Sequence, residues 1–247
     1  MTNRHSSISA SAIALAALSL VGAAFQATGA ELDRYIDYVE THGSGTTAGE
    51  YVLLDYRPTS NTVVELQVLL KGVSATQGLF CSRGNATDAD TYTLFFVKSS
   101  SGTGLRWDYN RTAAEFQTGM SANTQYTIRC TPNGLWRNGV QCAAIHVSPQ
   151  SYTPANRMML FASYTCDPAA TPAPTANYAG VRLYSFKAWD EEGGALSLDL
   201  HPCIDTDGVT ALYDAVSGKL YYNLTSSPLP WRSAYLWRRA MRSVTTR

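Results

Sequence analysis

Apolar residues in this 247-residue chain recur at every second position in short runs, and each run ends at a cluster of turn-forming residues. This spacing constrains the fold more than any other feature. A two-residue period lines one face of a strand, whereas a helix needs apolar residues three and four apart. In NTVVELQVLLKG, Val64, Leu66, Val68 and Leu70 share one face, with Glu65 and Gln67 on the other. In DTYTLFFVKSS, Tyr92, Leu94 and Phe96 alternate with Thr93, Phe95 and Val97, so both faces are apolar and the strand is expected at the centre of a sheet. Tyr126, Ile128 and Cys130 alternate in the same way with Thr127, Arg129 and Thr131.

The breaks carry equal weight. GSG at 43–45, SRGN at 82–85 and SSSGTG at 99–104 are loops by composition. Asn138-Gly139, between LWR and VQCAAI, is the pair favoured in a two-residue hairpin, where both central residues take positive φ. DPAATPAPTAN at 167–177 is a proline-rich surface loop. Roughly a dozen short strands at this spacing predict two packed antiparallel sheets, and no internal repeat is present.

Both termini differ from this body. Residues 1–30 open with Arg4 and His5, continue as a serine-interrupted apolar run from Ile8 to Phe25 and end in small residues, Thr28 and Ala30. That is the pattern of a secretory signal peptide cleaved before Glu31, and the run is short of a bilayer span. Residues 226–247 form a basic tail with Arg232, Arg238, Arg239, Arg242 and Arg247 and no acid. The chain has 19 basic and 19 acidic residues; with Arg4 and the tail set aside, residues 31–225 carry a net charge of −6. An acidic body argues against nucleic acid as a partner. The five cysteines, Cys81, Cys130, Cys142, Cys166 and Cys203, form no CxxC pair, and an exported chain with an odd count keeps at least one outside any intrachain disulfide. The expected location is secreted, cell-surface or periplasmic.

Several segments in a fixed order carry a family resemblance. They are LDRYIDYVETHGSGTTAGEYVLLDYRPTSNTVVELQVLL at 32–70, GLFCSRGN at 78–85, QYTIRCTPNGLWRNGVQ at 125–141, MMLFASYT at 158–165 and VRLYSFKAWDEEGGALSLDLHPCIDTDGVTALYDAVSGKLYYN at 181–223. Together they resemble the laminin G-like, concanavalin A-like lectin/glucanase domains of bacterial exported proteins. The last segment is the most specific, with Ala211 where that family often has glycine. The resemblance implies an all-β jelly roll of two antiparallel sheets over residues 31–225. It also implies a fold that hosts lectins, glycosidases, adhesion modules and spacers, so function has to come from a site.

Each candidate site has a structural counterpart. Asp214 and Lys219, in TALYDAVSGKLYYN, resemble an acid and a base, but Asp214 at a strand end is placed to accept the Ala215 and Val216 amides while Ser217-Gly218 reverses the chain. A retaining glycosidase needs two carboxylates about 5–5.5 Å apart, supplied in the related glucanases by an E-x-D-x-x-E strand, and this sequence contains none. Neither does it contain the GxSxG of a serine hydrolase. Asp88 with Asp90 and Asp205 with Asp207 are paired loop acids that calcium would use, although calcium asks for six to eight oxygens and Asp ordinarily forms turns in such loops. No cofactor is otherwise expected. A sugar needs an aromatic face beside polar groups; Trp107, Tyr109 and Asn110 in LRWDYNRT and Trp136 in LWRNG supply that mixture, with core packing as the alternative role for each ring. The sequence thus predicts an exported, non-catalytic glycan-binding or adhesion module whose partner is a glycan or a surface protein. A structural surface protein without a small ligand is the alternative, and a glycoside hydrolase a more remote one.

Overall fold

The two-residue period is realised as seventeen β-strands, with no helix among the described residues. The structure, a computed structural model, describes residues 30–43, 49–83, 91–99, 102–109, 112–116, 119–144, 154, 156–163, 177–225 and 228–232. The expected signal peptide and most of the basic tail lie outside these residues. The first strands are Leu32–Tyr35 (β1), Tyr38–Glu40 (β2), Val52–Leu53 (β3), Val63–Leu70 (β4), Gln77–Ser82 (β5), Tyr92–Ser99 (β6), Gly102–Tyr109 (β7), Thr112–Phe116 (β8) and Gln125–Thr131 (β9). Next come Gly134–Arg137 (β10), Val140–Ala144 (β11), Met159–Leu160 (β12), Val181–Trp189 (β13), Leu196–Asp205 (β14), Thr210–Asp214 (β15), Leu220–Tyr221 (β16) and Trp231–Arg232 (β17).

These strands make two antiparallel sheets, a jelly-roll sandwich. The larger runs β11-β10-β9-β4-β13-β14-β15-β16, with β1 added to β14 and β2 bridging β13 and β17; the smaller runs β3-β12-β5-β6-β7-β8. β4 and β13, at the centre of the large sheet, are paired along eight positions from Val181↔Leu70 to Trp189↔Val63, with one register shift between Leu183 and Ser185. The Asn138-Gly139 turn closes β10 on β11 with both residues at positive φ, 51° and 78°, as the sequence predicts.

The core lies between the sheets. Val64, Leu66, Val68 and Leu70 of β4 and Tyr126, Ile128 and Cys130 of β9 meet Tyr92, Leu94 and Phe96 of β6 from the other side. β7 adds Leu105, Trp107 and Tyr109. Trp107 is fully buried, with its ring edge-on to Tyr92 at 4.6 Å and to Phe80 at 5.8 Å. Its Nε1–H donates to the Thr131 carbonyl at 3.2 Å, tying the small sheet to the large one. The hydroxyls of Tyr92 and Tyr109 donate to the carbonyls of Thr62 and Ser60 at 2.7 and 2.6 Å, so each large ring buries its apolar body without stranding its polar end.

The edges of the domain and its cysteines complete the description. At the start of the basic segment Leu229 is buried, the Glu40 N–H donates to the Pro230 carbonyl at 2.8 Å and β17 pairs with β2, so strand pairing reaches Arg232. Cys81, Cys130, Cys142 and Cys203 are in no disulfide, with Cys142 the one of the four that is only partly buried; Cys166 lies outside the described residues.

Candidate functional site

The closing hairpin comes first, because its residues look reactive. Asp214 is buried and its carboxylate is fully engaged. Oδ1 accepts the Asp199 N–H at 2.9 Å and the Val216 N–H at 3.1 Å, while Oδ2 accepts the Ser217 N–H at 3.3 Å and the Ser217 hydroxyl at 2.5 Å. The expected Ala215 amide goes instead to the Asp199 carbonyl at 2.9 Å, since β14 lies closer to it than the turn does. Lys219 points away, to Asp55 at 3.2 Å. Gly218, at φ 74°, completes the reversal. This stretch is structural.

Asp205 is likewise a turn residue. It is buried, its Oδ1 accepts the amides of Asp207 and Val209 at 3.0 and 2.7 Å, and its Oδ2 accepts the Tyr222 hydroxyl at 2.8 Å. With those lone pairs taken, the Asp205–Asp207 loop is not arranged for calcium. Asp88, Asp90 and Asn110 lie outside the described residues, and among the described residues no cluster of three His, Cys, Asp or Glu side chains is present.

The aromatic candidates separate cleanly. Trp107 and Tyr109 belong to the core described above and cannot stack on a sugar; in LRWDY they alternate with Leu105, and that phase points all three inward. Trp136 behaves differently. It is half-buried on the solvent side of the large sheet, because Leu135 beside it takes the core position.

From Trp136 a continuous row crosses five strands. Cross-strand pairing runs Trp136↔Arg129, Arg129↔Glu65, Glu65↔Lys187 and Lys187↔Asp199. Four inter-strand steps span about 19 Å. Charge alternates along the row: Arg129 lies 3.5 Å from Glu65 and Lys187 3.7 Å from Asp199. The Arg129 guanidinium also lies over the Trp189 ring, 5.1 Å from its centroid, and reaches Glu192 at 3.4 Å. Partly exposed ion pairs of this kind add about 0–1 kcal/mol each, so the core beneath, and not this row, holds the sheet together.

The far end of the row is aromatic again. His201 lies 3.0 Å from Asp199 through Nε2, although the ring is not aligned to donate, and the buried Asp199 Oδ1 accepts no hydrogen bond. The Tyr35 ring packs edge-on against His201 and Tyr213, with centroids 5.6 and 6.1 Å away. Tyr35 is 56% exposed. On the same sheet, Arg182 lies 4.8 Å over Tyr38, which packs against Tyr184; burial pushes the Tyr184 phenol upward against the opposing charge of Arg182.

This face combines ring surfaces at both ends with guanidinium, carboxylate, ammonium and imidazole groups between them. Such groups can stack on sugar C–H faces and exchange hydrogen bonds with hydroxyls. The carboxylates of Glu65 and Asp199 each face a cation, not a second carboxylate. Sequence reasoning found Trp136 but missed Arg129, Trp189, Lys187, Asp199, His201, Tyr213 and Tyr35, whose proximity depends on register. The outward side of the small sheet is closed by contrast: Cys81, Thr93, Phe95, Asp108 and Met159 are all buried there.

Comparisons with known proteins bear on the fold. No protein-family model and no curated protein sequence matches the chain. Among solved structures, a candidate carbohydrate-binding protein from Bacteroides ovatus superposes with a TM-score of 0.53 at 10% identity, covering 80% of this chain and 62% of that one. The chain therefore spans less than two thirds of that protein's length. A native heptameric SAP-like pentraxin from Limulus polyphemus superposes with a TM-score of 0.47 at 12% identity, covering 64% of this chain and 77% of that one. At 10% identity, the Bacteroides likeness speaks to the fold alone, and it agrees with the jelly roll described above.

Proposed function

We propose that the protein is a non-catalytic glycan-binding or adhesion module, exported from the cell, of the concanavalin A-like class that its sequence motifs resemble. The observation that carries this reading is the row from Trp136 to Asp199, with Trp189 packed beside it under Arg129 and His201, Tyr213 and Tyr35 at its Asp199 end. It presents separate ring surfaces spaced for several sugar units of a chain, with hydrogen-bonding groups between them. The carbohydrate-binding description of the Bacteroides ovatus protein is in keeping with it.

The test is a glycan array probed with the full chain, once with calcium and once with a chelator, alongside the Trp136→Ala/Trp189→Ala double variant. Binding that survives the chelator and falls at least tenfold in the double variant is the expected result. Binding abolished by the chelator would move the site to the Asp88–Asp90 loop. A second reading, a structural surface protein with no small ligand, is favoured by the buried outer side of the small sheet. The absence of any glycan binding would support it.

A further inference from the structure

A second feature lies at the other end of the central strands, where β4 and β13 meet. His42, Gly43, Lys71, Ser74, Thr76 and Tyr178 are among the residues enclosing a cleft of about 460 Å³. That volume is within the range of small-molecule sites, roughly 300–1,000 Å³. The six residue steps from Glu65 on β4 to Lys71 just beyond its end separate the cleft from the row by about 20 Å, so the two are distinct.

The cleft is built, not incidental. Gln77, itself buried, bridges its floor: Nε2 donates to the Gly72 carbonyl at 2.8 Å and Oε1 accepts the Gly180 N–H at 2.9 Å. Gly43, at φ 59°, runs so close to Gly180 that a Cβ would meet the Gly180 nitrogen at 2.4 Å, which fixes this wall without a side chain. Among the described residues, no acidic residue lines the cleft. Two carboxylates that touch lining residues are already engaged: Glu40 is held by Lys71 at 2.7 Å and Arg182 at 2.6 Å, and Glu50 accepts the His42 N–H at 3.1 Å and faces the His42 ring at 2.8 Å. Glu40 thus shares one negative charge between two cations, and Lys71 is the one that lines the cleft; its Nζ also donates to the Thr41 carbonyl at 3.1 Å, which leaves the third N–H for a ligand. Ser74 is exposed and Thr76 half-buried, and neither hydroxyl is bonded to another described residue.

We infer that this cleft binds a monosaccharide unit bearing a carboxylate, with Lys71 pairing to the carboxylate, Ser74 and Thr76 to ring hydroxyls, and Tyr178 with His42 walling the ring. An ammonium beside uncommitted hydroxyls and a ring wall fits that combination better than it fits a neutral sugar or a bare anion. The inference stands apart from the outer-face reading, since it uses none of the same residues.

The experiment is titration of the full chain with glucuronate, glucose and inorganic sulfate by calorimetry, repeated on Lys71→Met, Lys71→Arg and Ser74→Ala/Thr76→Val. Glucuronate is expected to bind more tightly than either control, to lose about tenfold or more in Lys71→Met and to keep most of its affinity in Lys71→Arg. The hydroxyl variant should weaken glucuronate several-fold while leaving thermal unfolding unchanged, and it serves as the test should Lys71→Met fail to fold. Glucose or sulfate binding as tightly as glucuronate, or glucuronate binding undiminished in both Lys71→Met and the hydroxyl variant, would overturn the inference. Trp136→Ala should leave this titration unaltered, which separates failure here from failure of the outer-face site.

Discussion

Replacing Asp214 with alanine measures what the closing hairpin contributes. The carboxylate accepts four hydrogen bonds, from the Asp199, Val216 and Ser217 amides and from the Ser217 hydroxyl. Val216 and Ser217 are exposed, so water can take over their donors. The Asp199 amide sits in the sheet, and leaving it without a partner costs about 1–3 kcal/mol. Hydrogen bonds to a charged acceptor add about 1.5–3 kcal/mol each when no water replaces them. A net loss of about 3 kcal/mol follows, corresponding to roughly 6–12 °C in Tm for a domain of this size. Asp214→Asn keeps one acceptor oxygen but sets an NH2 group toward the Ser217 donors, and should lose about half as much. Lys219→Ala removes only an exposed pair with Asp55 and should change stability by less than about 1 kcal/mol. The assay is urea unfolding followed by tryptophan fluorescence. An Asp214→Ala variant within about 0.5 kcal/mol of the parent, the ordinary scatter of neutral surface changes, would refute the reasoning.

Three further outcomes are expected. Burial raises the carboxyl of Glu40, but hydrogen bonds and charge from Lys71 and Arg182 outweigh it, leaving the folded value below the ordinary 4.5. Its contribution to stability is therefore complete above pH 4.5 and lost as pH falls through the lower folded value, so Glu40→Gln should flatten the acid limb of a stability-against-pH curve measured by urea unfolding. Burial pushes the Cys203 thiol up to about 12 and the Cys130 thiol well above its usual range, whereas Cys142 is partly exposed; a thiol reagent at neutral pH should label Cys142 and spare Cys81, Cys130 and Cys203 until the chain unfolds. Truncation after Thr225 removes the buried Leu229 and the β17 pairing, and should cost about 2 kcal/mol more than truncation after Arg232, read as a difference in Tm.

The sandwich was legible because its signals are local. Val64 to Leu70 on β4 and Tyr92 to Val97 on β6 declare both phase and burial through two-residue alternation, and Asn138-Gly139 declares its own turn. The site was much less legible. Trp107 and Tyr109 look ligand-like by composition, yet their alternation with Leu105 points them into the core, a signal present in the sequence but outweighed by the neighbouring polar residues. Trp136 is recognisable by itself, but most of its partners are not, because only Arg129 is on the neighbouring strand of its hairpin, while Glu65, Lys187 and Asp199 come from three strands distant in sequence. Nothing local in VRLYSFKAW reveals that Lys187 and Trp189 face solvent.

The reason lies in one irregularity of β13. Val181 and Leu183 point inward at odd positions, and continued alternation would bury Lys187 and Trp189 while turning Phe186 and Ala188 outward. The register shift between Leu183 and Ser185 reverses the phase, so that Phe186 and Ala188 enter the core instead. The driving force is the burial of Phe186, worth about 1.5–3 kcal/mol, together with the avoided cost of an unpaired ammonium in the core. The same reversal sets Lys187 between Glu65 and Asp199 and lays Trp189 under Arg129. Packing on one side of β13 and the outer row on the other are therefore one solution to one constraint: the core selects the register, and the register assembles the row.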